Sequence, residues 1–547
     1  SIFHATDPEM RFRINTHGTV GVLLGDADGL KIYGQGASQQ IRLHAETTEV
    51  MRLDTNSRIS LSNNDGSGTS TVFGSLAGRD LAGDGNYNTF VGDSAGLQNK
   101  LGINNVALGH NAMDDSYASD ATDAENDNNV FIGYNSGGGT WTGSTVAHAC
   151  HDNIAIGTST MVGGMQGAVS NNALGSSALT ALTSGSNNTA IGYQSAYNLT
   201  TGNDNIALGY KALFTTTDAS NIVALGDYAG YSVNNSAAGN SVFIGKDAGY
   251  AVTEGQYNVM IGSAAGTEET VGDSMTFVGH RAGRRTGGLG NLHNTFIGFE
   301  AGSGDWASNS SNYNTIVGSN AFIGNCNGAL NNTALGYASL QDLTTGDNNV
   351  AIGSNASLNL TTGSSNISIG KQAMGVGITT GDHNIAIGNA SGYDLVGGNN
   401  NILMGKDSGE NLTSGIGNII LGQEAGKGLV GSHNNVIIGR EAGSVATATI
   451  QTNVIIGYGA GKGALEGGAD GMVAVGSSAL GALTTGANCI AIGKNSMSAN
   501  TTGQDNISIG RDSLTNLNHA NSVRNTVIGH YAGDAMGTLD GNADNII

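Results

Sequence analysis

The sequence is short of the residues on which most folds and sites depend. It has one proline, three cysteines and two tryptophans in 547 residues, and only 12% of its residues are charged. No apolar run reaches the roughly 18 residues of a membrane-spanning helix, so we predict no membrane insertion. Lysine and arginine form no run, and the net charge is −22. Both features argue against a nucleic-acid partner, which would require a basic surface.

Recognisable catalytic and metal-binding arrangements are also missing. His148, Cys150 and His151 do not have the spacing of a standard zinc site and lack a fourth ligand. The acidic stretch 120–127 lacks the EF-hand pattern. Acidic residues do not recur at matching positions of neighbouring repeats, as the paired carboxylates of a polysaccharide-cleaving groove would require. We therefore predict that the chain is not an enzyme, binds no cofactor and has no metal site, with a lone calcium ion in a loop as the alternative.

A repeat ending in glycine dominates the sequence, which contains 89 glycines. Its form is N-[V/I/T]-x-[I/L/V]-G, and it recurs in 26 copies whose closing glycines run from Gly74 to Gly529, most often 17 residues apart. A fixed period of this length is typical of solenoid proteins. We predict an all-β fold in which residues 63–547 form a parallel β-solenoid of about 26 coils. Long loop insertions are expected near 113–128 and 136–152.

The apolar residues of the repeat predict which side of each strand is buried. The residues one and three before the glycine are mostly aliphatic or β-branched and share one face, because strand side chains alternate. We expect this face to form the solenoid interior. The residue between them then faces outward, yet it is also apolar, so a second surface must cover it. Identical chains around a threefold axis would do so, and the interface would contain Ala107, Phe131, Phe243, Phe277, Phe296, Ile420, Ile437 and Ile455. The alternative cover is the solenoid's own polypeptide, if the coil is flat enough to have two layers.

The polar and small positions of the repeat predict how a coil turns. An asparagine stands four residues before most of the glycines, and stacked copies of it would form an amide ladder at a corner. The glycine indicates a sharp turn or a close backbone approach. After it, the pattern predicts a short second strand and a turn rich in glycine and asparagine. Because Cys150 and Cys326 lie about ten coils apart, no disulfide within the chain is expected between them.

Residues 1–62 lack the repeat. Short alternating segments such as Met10–Ile14, Val20–Leu24 and Leu30–Tyr33 predict strands with turns between them. We expect a small N-terminal β module that caps the open edge of the solenoid or attaches it to the rest of an assembly.

The repeat resembles the head repeat of YadA-like trimeric adhesins, as in Asn488-Cys489-Ile490-Ala491-Ile492-Gly493. In that family each repeat is one coil of a left-handed parallel β-roll, and three chains form a tight trimer. The longer coils, together with a leader such as Glu49–Asp54 followed by Arg58–Leu61, are more similar to phage tail-fibre proteins. The resemblance implies a homotrimeric virion appendage at the phage tail, outside the cell.

The resemblance therefore implies a structural tail fibre that mediates attachment to the host surface. Its partners would be two identical chains, other tail or baseplate proteins, and a glycan or protein of the host cell surface. A bacterial YadA-like surface adhesin is the alternative, and a polysaccharide-degrading tailspike is a more distant one. Long loops on a rigid scaffold often carry binding, so Trp141, Tyr117 and Trp306 are the candidate receptor contacts.

Overall fold

A computed structural model describes most of the repeat region of the chain. It describes the backbone of six strands between residues 12 and 60, and residues 70–81, 85–116, 126–141, 149–234, 238–286, 290–306, 310–376, 380–517, 522–534, 536 and 544–547. The fold is an all-β parallel β-solenoid of about 25 turns. No α-helix occurs among these residues.

The chain divides into two compact units, Ser1–Gln256 and Tyr257–Ile547. The first unit begins with two three-stranded antiparallel sheets, one of order β1-β2-β3 and one of order β4-β5-β6. Their strands are β1 (Phe12–Thr16), β2 (Thr19–Asp26), β3 (Gly29–Tyr33), β4 (Ile41–Ala45), β5 (Thr48–Leu53) and β6 (Ile59–Ser60). The strands predicted in the leader are thus present, and its capping or attachment role stays a prediction.

Ten short parallel strands complete the first unit, and each belongs to one coil. They are β7 (Thr71–Phe73), β8 (Thr89–Val91), β9 (Val106–Leu108), β10 (Val130–Ile132), β11 (Ile154–Ile156), β12 (Asn172–Leu174), β13 (Thr189–Ile191), β14 (Ile206–Leu208), β15 (Val223–Leu225) and β16 (Val242–Ile244). Neighbours pair in register, so that equivalent residues of successive coils lie side by side, as Ala190 does with Ala207.

The second unit repeats this arrangement in sixteen further coils. Its strands are β17 (Val259–Ile261), β18 (Thr276–Val278), β19 (Thr295–Ile297), β20 (Thr315–Val317), β21 (Thr333–Leu335), β22 (Val350–Ile352), β23 (Ile367–Ile369), β24 (Ile385–Ile387), β25 (Ile402–Met404), β26 (Ile419–Leu421), β27 (Val436–Ile438), β28 (Val454–Ile456), β29 (Val473–Val475), β30 (Ile490–Ile492), β31 (Ile507–Ile509) and β32 (Thr526–Ile528). The in-register pairing is again parallel, as between Ile385 and Ile402.

The burial of the strands is the reverse of the sequence prediction. The central residue of each strand is buried, whereas the residues on either side of it are partly or largely exposed. The proposed interface residues are all central and fully buried in the chain's own core: Ala107, Phe131, Phe243, Phe277, Phe296, Ile420, Ile437 and Ile455. Their assignment to a trimer interface was wrong, because both faces of the strand are apolar and polarity alone does not show which one points inward.

The core fills its volume by pairing the central strand residue with the residue four after the glycine. Where the centre is large, glycine stands opposite in every coil but that of Ile316, and a Cβ added to Gly283 would lie 2.5 Å from the Phe277 ring. Where the centre is small, the partner is large in most coils, as with Ala173 and Leu179, both buried, whereas both residues are small in four coils. Complementary sizes of this kind favour the close packing that is typical of protein interiors.

The asparagine ladder predicted at the corner is confirmed. Asn349 Nδ2 donates to Asn332 Oδ1 (3.1 Å) and to the Gly363 carbonyl (2.9 Å), and Asn349 Oδ1 accepts the backbone N–H of Asn366 (2.9 Å). The left-handed corner residue, however, is the one before the ladder asparagine, such as Asn348 with φ 58°. The two residues of the frequent Asn-Asn pair therefore have different roles. The first adopts the left-handed backbone, which asparagine tolerates, and the second forms the ladder.

The glycine that closes each strand lies against the next coil, as predicted. Gly192 has φ +132°, and a Cβ on it would lie 2.5 Å from the carbonyl oxygen of Gly209. The second strand expected after the glycine is absent from the described coils. Left-handed residues two and four after the glycine, such as Ser177 and Leu179, prevent an extended backbone there. Hydrogen bonds between coils persist through this turn, for example from Leu179 N to the Ser195 carbonyl at 3.1 Å.

Candidate functional surfaces

A largely apolar face runs along the outside of the strand ladder in each unit. It is formed by two columns, the residues one and three before each closing glycine, and we call it the outer strand face. Leu174 and Leu335 are 48% and 47% exposed, and Ile206 is 40% exposed. Because the strands pair in register, these side chains form continuous rows that cross successive coils.

The composition of the outer strand face differs from that of a solvated sheet surface. No charged residue occurs in either column of the 26 strands. The column three before the glycine contains eight threonines and Asn172, whereas the column next to the glycine excludes threonine. Threonine favours strands as the aliphatic β-branched residues do, so strand propensity does not explain its exclusion. The neighbouring exposed column, directly after the glycine, does carry charge, as at Asp93, Lys371, Lys406 and Arg440. An apolar centre with a polar rim is the usual anatomy of a protein interface.

The two tryptophans belong to the core and not to a receptor site. Trp141 is 2% exposed, packs edge to face on Phe131 (ring centroids 5.4 Å apart) and donates from Nε1 to the Gly137 carbonyl at 3.1 Å. Trp306 is fully buried between the Phe296 and Phe322 rings. Both side chains are buried against core phenylalanines, so their assignment as receptor contacts was wrong. Tyr117 lies outside the described residues.

The three cysteines lie in the interior of the chain, where their thiols stay protonated. Cys150, Cys326 and Cys489 are buried and are not joined by a disulfide. Burial raises the pKa of the Cys150 thiol to about 11, and it also raises the pKa values of the other two. A thiol held protonated in this way is a poor metal ligand, since metals bind the thiolate. No group of three or more His, Cys, Asp or Glu side chains within the described part of the chain has a metal-binding arrangement.

A second polar column, six residues before the glycine, was not recognised in the sequence. Its side chains accept hydrogen bonds from the backbone of the preceding coil: Asp347 Oδ1 accepts from Leu330 N, Asp382 Oδ1 from Ser364 N and Asn399 Oδ1 from Asp382 N, each at 2.7 Å. The column is thus a second, outer ladder beside the asparagine ladder. The recurrence of Asp, Asn and Ser at this offset was the available signal.

A cluster of aromatic rings on the first unit was also missed. It comprises six of the chain's 16 tyrosines and one phenylalanine, in the coils that begin at four successive glycines, and we call it the tyrosine ladder: Tyr193, Tyr197, Tyr210, Phe214, Tyr228, Tyr231 and Tyr250. Most of the rings stack on the equivalent ring of the next coil, and Tyr228 lies across Tyr210, Tyr231 and Tyr250 at 60–73°. The signal was the recurrence of aromatics one and five residues after the glycine.

Comparison of the chain with known protein families, curated proteins and solved structures finds no match. Among the residues that the structure describes, no helix has the length and apolar character needed to span a bilayer.

Proposed function

We propose that three copies of this chain associate through their outer strand faces and form a structural fibre of a phage tail that mediates attachment to the host surface. The trimer and its place on the virion are supported by the resemblance of the repeat to trimeric adhesin heads and phage tail fibres. The observation that carries the proposal is the uncharged outer strand face, whose column next to the glycine is apolar in every strand. A monomer in water would leave this face exposed in coil after coil, and apolar patches of that extent indicate an interaction site.

The energetics favour association through many small contributions. Fully burying one Val, Leu or Ile side chain contributes roughly 1.5–3 kcal/mol. The outer side chains are already partly shielded by their neighbours, so each contributes only a fraction of that on association. The contribution recurs in every coil, and the rigid ladder has little conformational entropy left to lose.

Light scattering on the purified chain tests the association. A trimer has a mass near three times 55.0 kDa. Leu335→Asp places a charge on the outer strand face and is expected to lower the mass toward that of one chain. Tyr337→Asp is the matched control, because Tyr337 is 55% exposed in the same coil but lies beyond the closing glycine, off the face. A monomeric wild-type chain, or equal behaviour of the two variants, would refute the proposed interface.

Immunogold electron microscopy tests the virion assignment separately. Antibodies raised against the purified chain should label the tails of phage particles from the source culture. Labelling of bacterial cell envelopes would instead support the alternative, a YadA-like surface adhesin. Release of reducing ends from host polysaccharide would revive the tailspike alternative.

A further inference from the structure

The tyrosine ladder brings six phenol side chains together in a chain in which only 5% of all residues are aromatic. Tyr231 and Tyr250 stack with ring centroids 5.0 Å apart and an angle of 4° between the rings. Tyr193 and Tyr210 stack at 5.5 Å and 15°. In both pairs two phenols lie face to face on adjacent coils.

The backbone holds each pair in place. Ser232 N donates to the Tyr250 carbonyl at 3.0 Å, and Lys211 N donates to the Tyr193 carbonyl at 3.0 Å, so the coils that carry the rings are joined directly beside them. The rings are also within reach of a dissolved reagent. Tyr193 is 47% exposed, Tyr210 38% and Tyr250 36%.

We propose that the tyrosine ladder is a site of oxidative cross-linking, at which Tyr231 couples to Tyr250, and Tyr193 to Tyr210, to form dityrosine. The oxidant is hydrogen peroxide acting through a haem peroxidase. Each phenol loses one electron and one proton to give a phenoxyl radical. The two radicals join through a carbon–carbon bond between ring positions ortho to the hydroxyl groups. Each ortho hydrogen then moves to its phenoxyl oxygen, which restores two phenols. Overall, the tyrosine pair loses two electrons and two protons. These reduce one hydrogen peroxide to two waters.

The cross-link would join neighbouring coils covalently. In a solenoid each coil contacts mainly its neighbours, so local opening of a few coils is the weak point of the fold. A covalent bond between residues 231 and 250 would restrict that opening and the unfolded chain, as a disulfide does. Phe214 has no phenol and stacks between Tyr197 and Tyr231. It therefore interrupts the row of phenols between Tyr197 and Tyr231, whereas Tyr228 contacts a ring of each reactive pair.

The proposal is independent of the trimer, because each link forms within one chain. The test treats the full chain with a haem peroxidase and hydrogen peroxide, measures dityrosine fluorescence, and identifies linked peptides by mass spectrometry after proteolysis. We expect a Tyr231–Tyr250 peptide lighter than the sum of its parts by two hydrogen atoms, and a higher midpoint of thermal unfolding after the reaction.

Two variants and two internal controls sharpen the test. Tyr250→Phe keeps the stacked ring and should remove the Tyr231–Tyr250 peptide without changing the circular dichroism of the chain. Phe214→Tyr should add links to Tyr197 or Tyr231. Tyr337 and Tyr458 are 55% and 54% exposed, and no ring contact in the described structure joins either to another tyrosine.

The internal controls separate geometry from exposure. If Tyr337 and Tyr458 are linked as readily as Tyr231 and Tyr250, reactivity follows exposure and the proposal fails. It also fails if the wild-type chain forms no dityrosine, or if Tyr250→Phe leaves the pattern of linked peptides unchanged.

Discussion

The pairing of sizes in the core predicts that a deleterious substitution can be repaired by a second one in the same coil. Phe90 is fully buried at the centre of its strand, and a Cβ on Gly96 would lie 2.6 Å from the Phe90 ring. In the next coil Ala107 and Met113 occupy the equivalent positions, both fully buried, and Met113 has the left-handed φ of 54°. The double variant Phe90→Ala with Gly96→Met therefore copies an arrangement that the solenoid already contains.

The magnitudes follow from the cavity and the overlap. Phe90→Ala alone should cost about 3–5 kcal/mol, because the side chain leaves a cavity in a packed core. Gly96→Met alone should cost about 1–3 kcal/mol from overpacking against the Phe90 ring, and about 1–2 kcal/mol more for a side chain in left-handed backbone. In the double variant the methionine fills the cavity, so we expect it to be more stable than Phe90→Ala, with a coupling free energy of up to about 3 kcal/mol.

Hydrogen exchange measured by mass spectrometry is the suitable assay, because stability in a solenoid is local. The free energy of opening should be read from the amides of residues 85–113 in the wild-type chain, both single variants and the double variant. If the double variant exchanges at least as fast as Phe90→Ala, the two side chains do not share one core site. The inward assignment of Phe90 would then be refuted.

Three further predictions concern buried polar groups and the glycine column. Glu269 is fully buried where many other coils have leucine, and burial raises the pKa of its carboxyl. The folded chain thus binds this proton more tightly than the unfolded chain, so stability should fall as pH rises from the unfolded pKa through the raised folded pKa. Glu269→Leu should remove that pH dependence in urea titrations, and persistence of the dependence would contradict the assignment. Asn349→Ala should cost about 1–3 kcal/mol for each buried hydrogen-bonding group left without a partner. We expect faster amide exchange that is confined to the adjacent coils. Exchange unchanged from the wild-type chain would show that the asparagine ladder does not stabilise those coils. Gly370→Ala places a Cβ 2.5 Å from the Gly388 carbonyl oxygen at φ +133°, and the strained backbone alone should cost about 1–3 kcal/mol. Alanine at Gly397, where a Cβ would meet nothing within 4 Å, is the matched control and should lower the thermal midpoint less.

The existence of an apolar outer surface could be predicted from the sequence, but the residues that form it could not. The sequence shows that the strand is apolar on both faces, so the expectation of a covered outer surface does not depend on the structure. Which residues lie on that surface was predicted the wrong way round. The side-chain sizes in the sequence could have shown which residue points inward. The large Phe277 is paired with Gly283, whereas the small Ala173 is paired with the large Leu179. Compensating volumes occur only between residues that share a core.

The placement of the aromatic residues depends on longer-range geometry. Trp141 and Trp306 stand in loops of the sequence, and exposure was a reasonable expectation for them. Each instead folds back onto a phenylalanine of the solenoid interior. The stacking of Tyr231 on Tyr250 likewise requires the two coils to be in register although their residues are 19 positions apart. Local sequence does not fix such contacts.

The sequence by itself determined the repeat, the parallel coil, the asparagine ladder and the glycine column, because each of these follows from a short pattern of residues that recurs in most coils. Only the tertiary structure decided the direction in which each coil closes. Left-handed residues beside the ladder asparagine and after the glycine, such as Asn348 and Leu179, bend the chain toward the central strand residue. That bend places the central column in the core and leaves the two flanking columns outside. Side-chain alternation predicts two faces but contains no information about which one the backbone encloses.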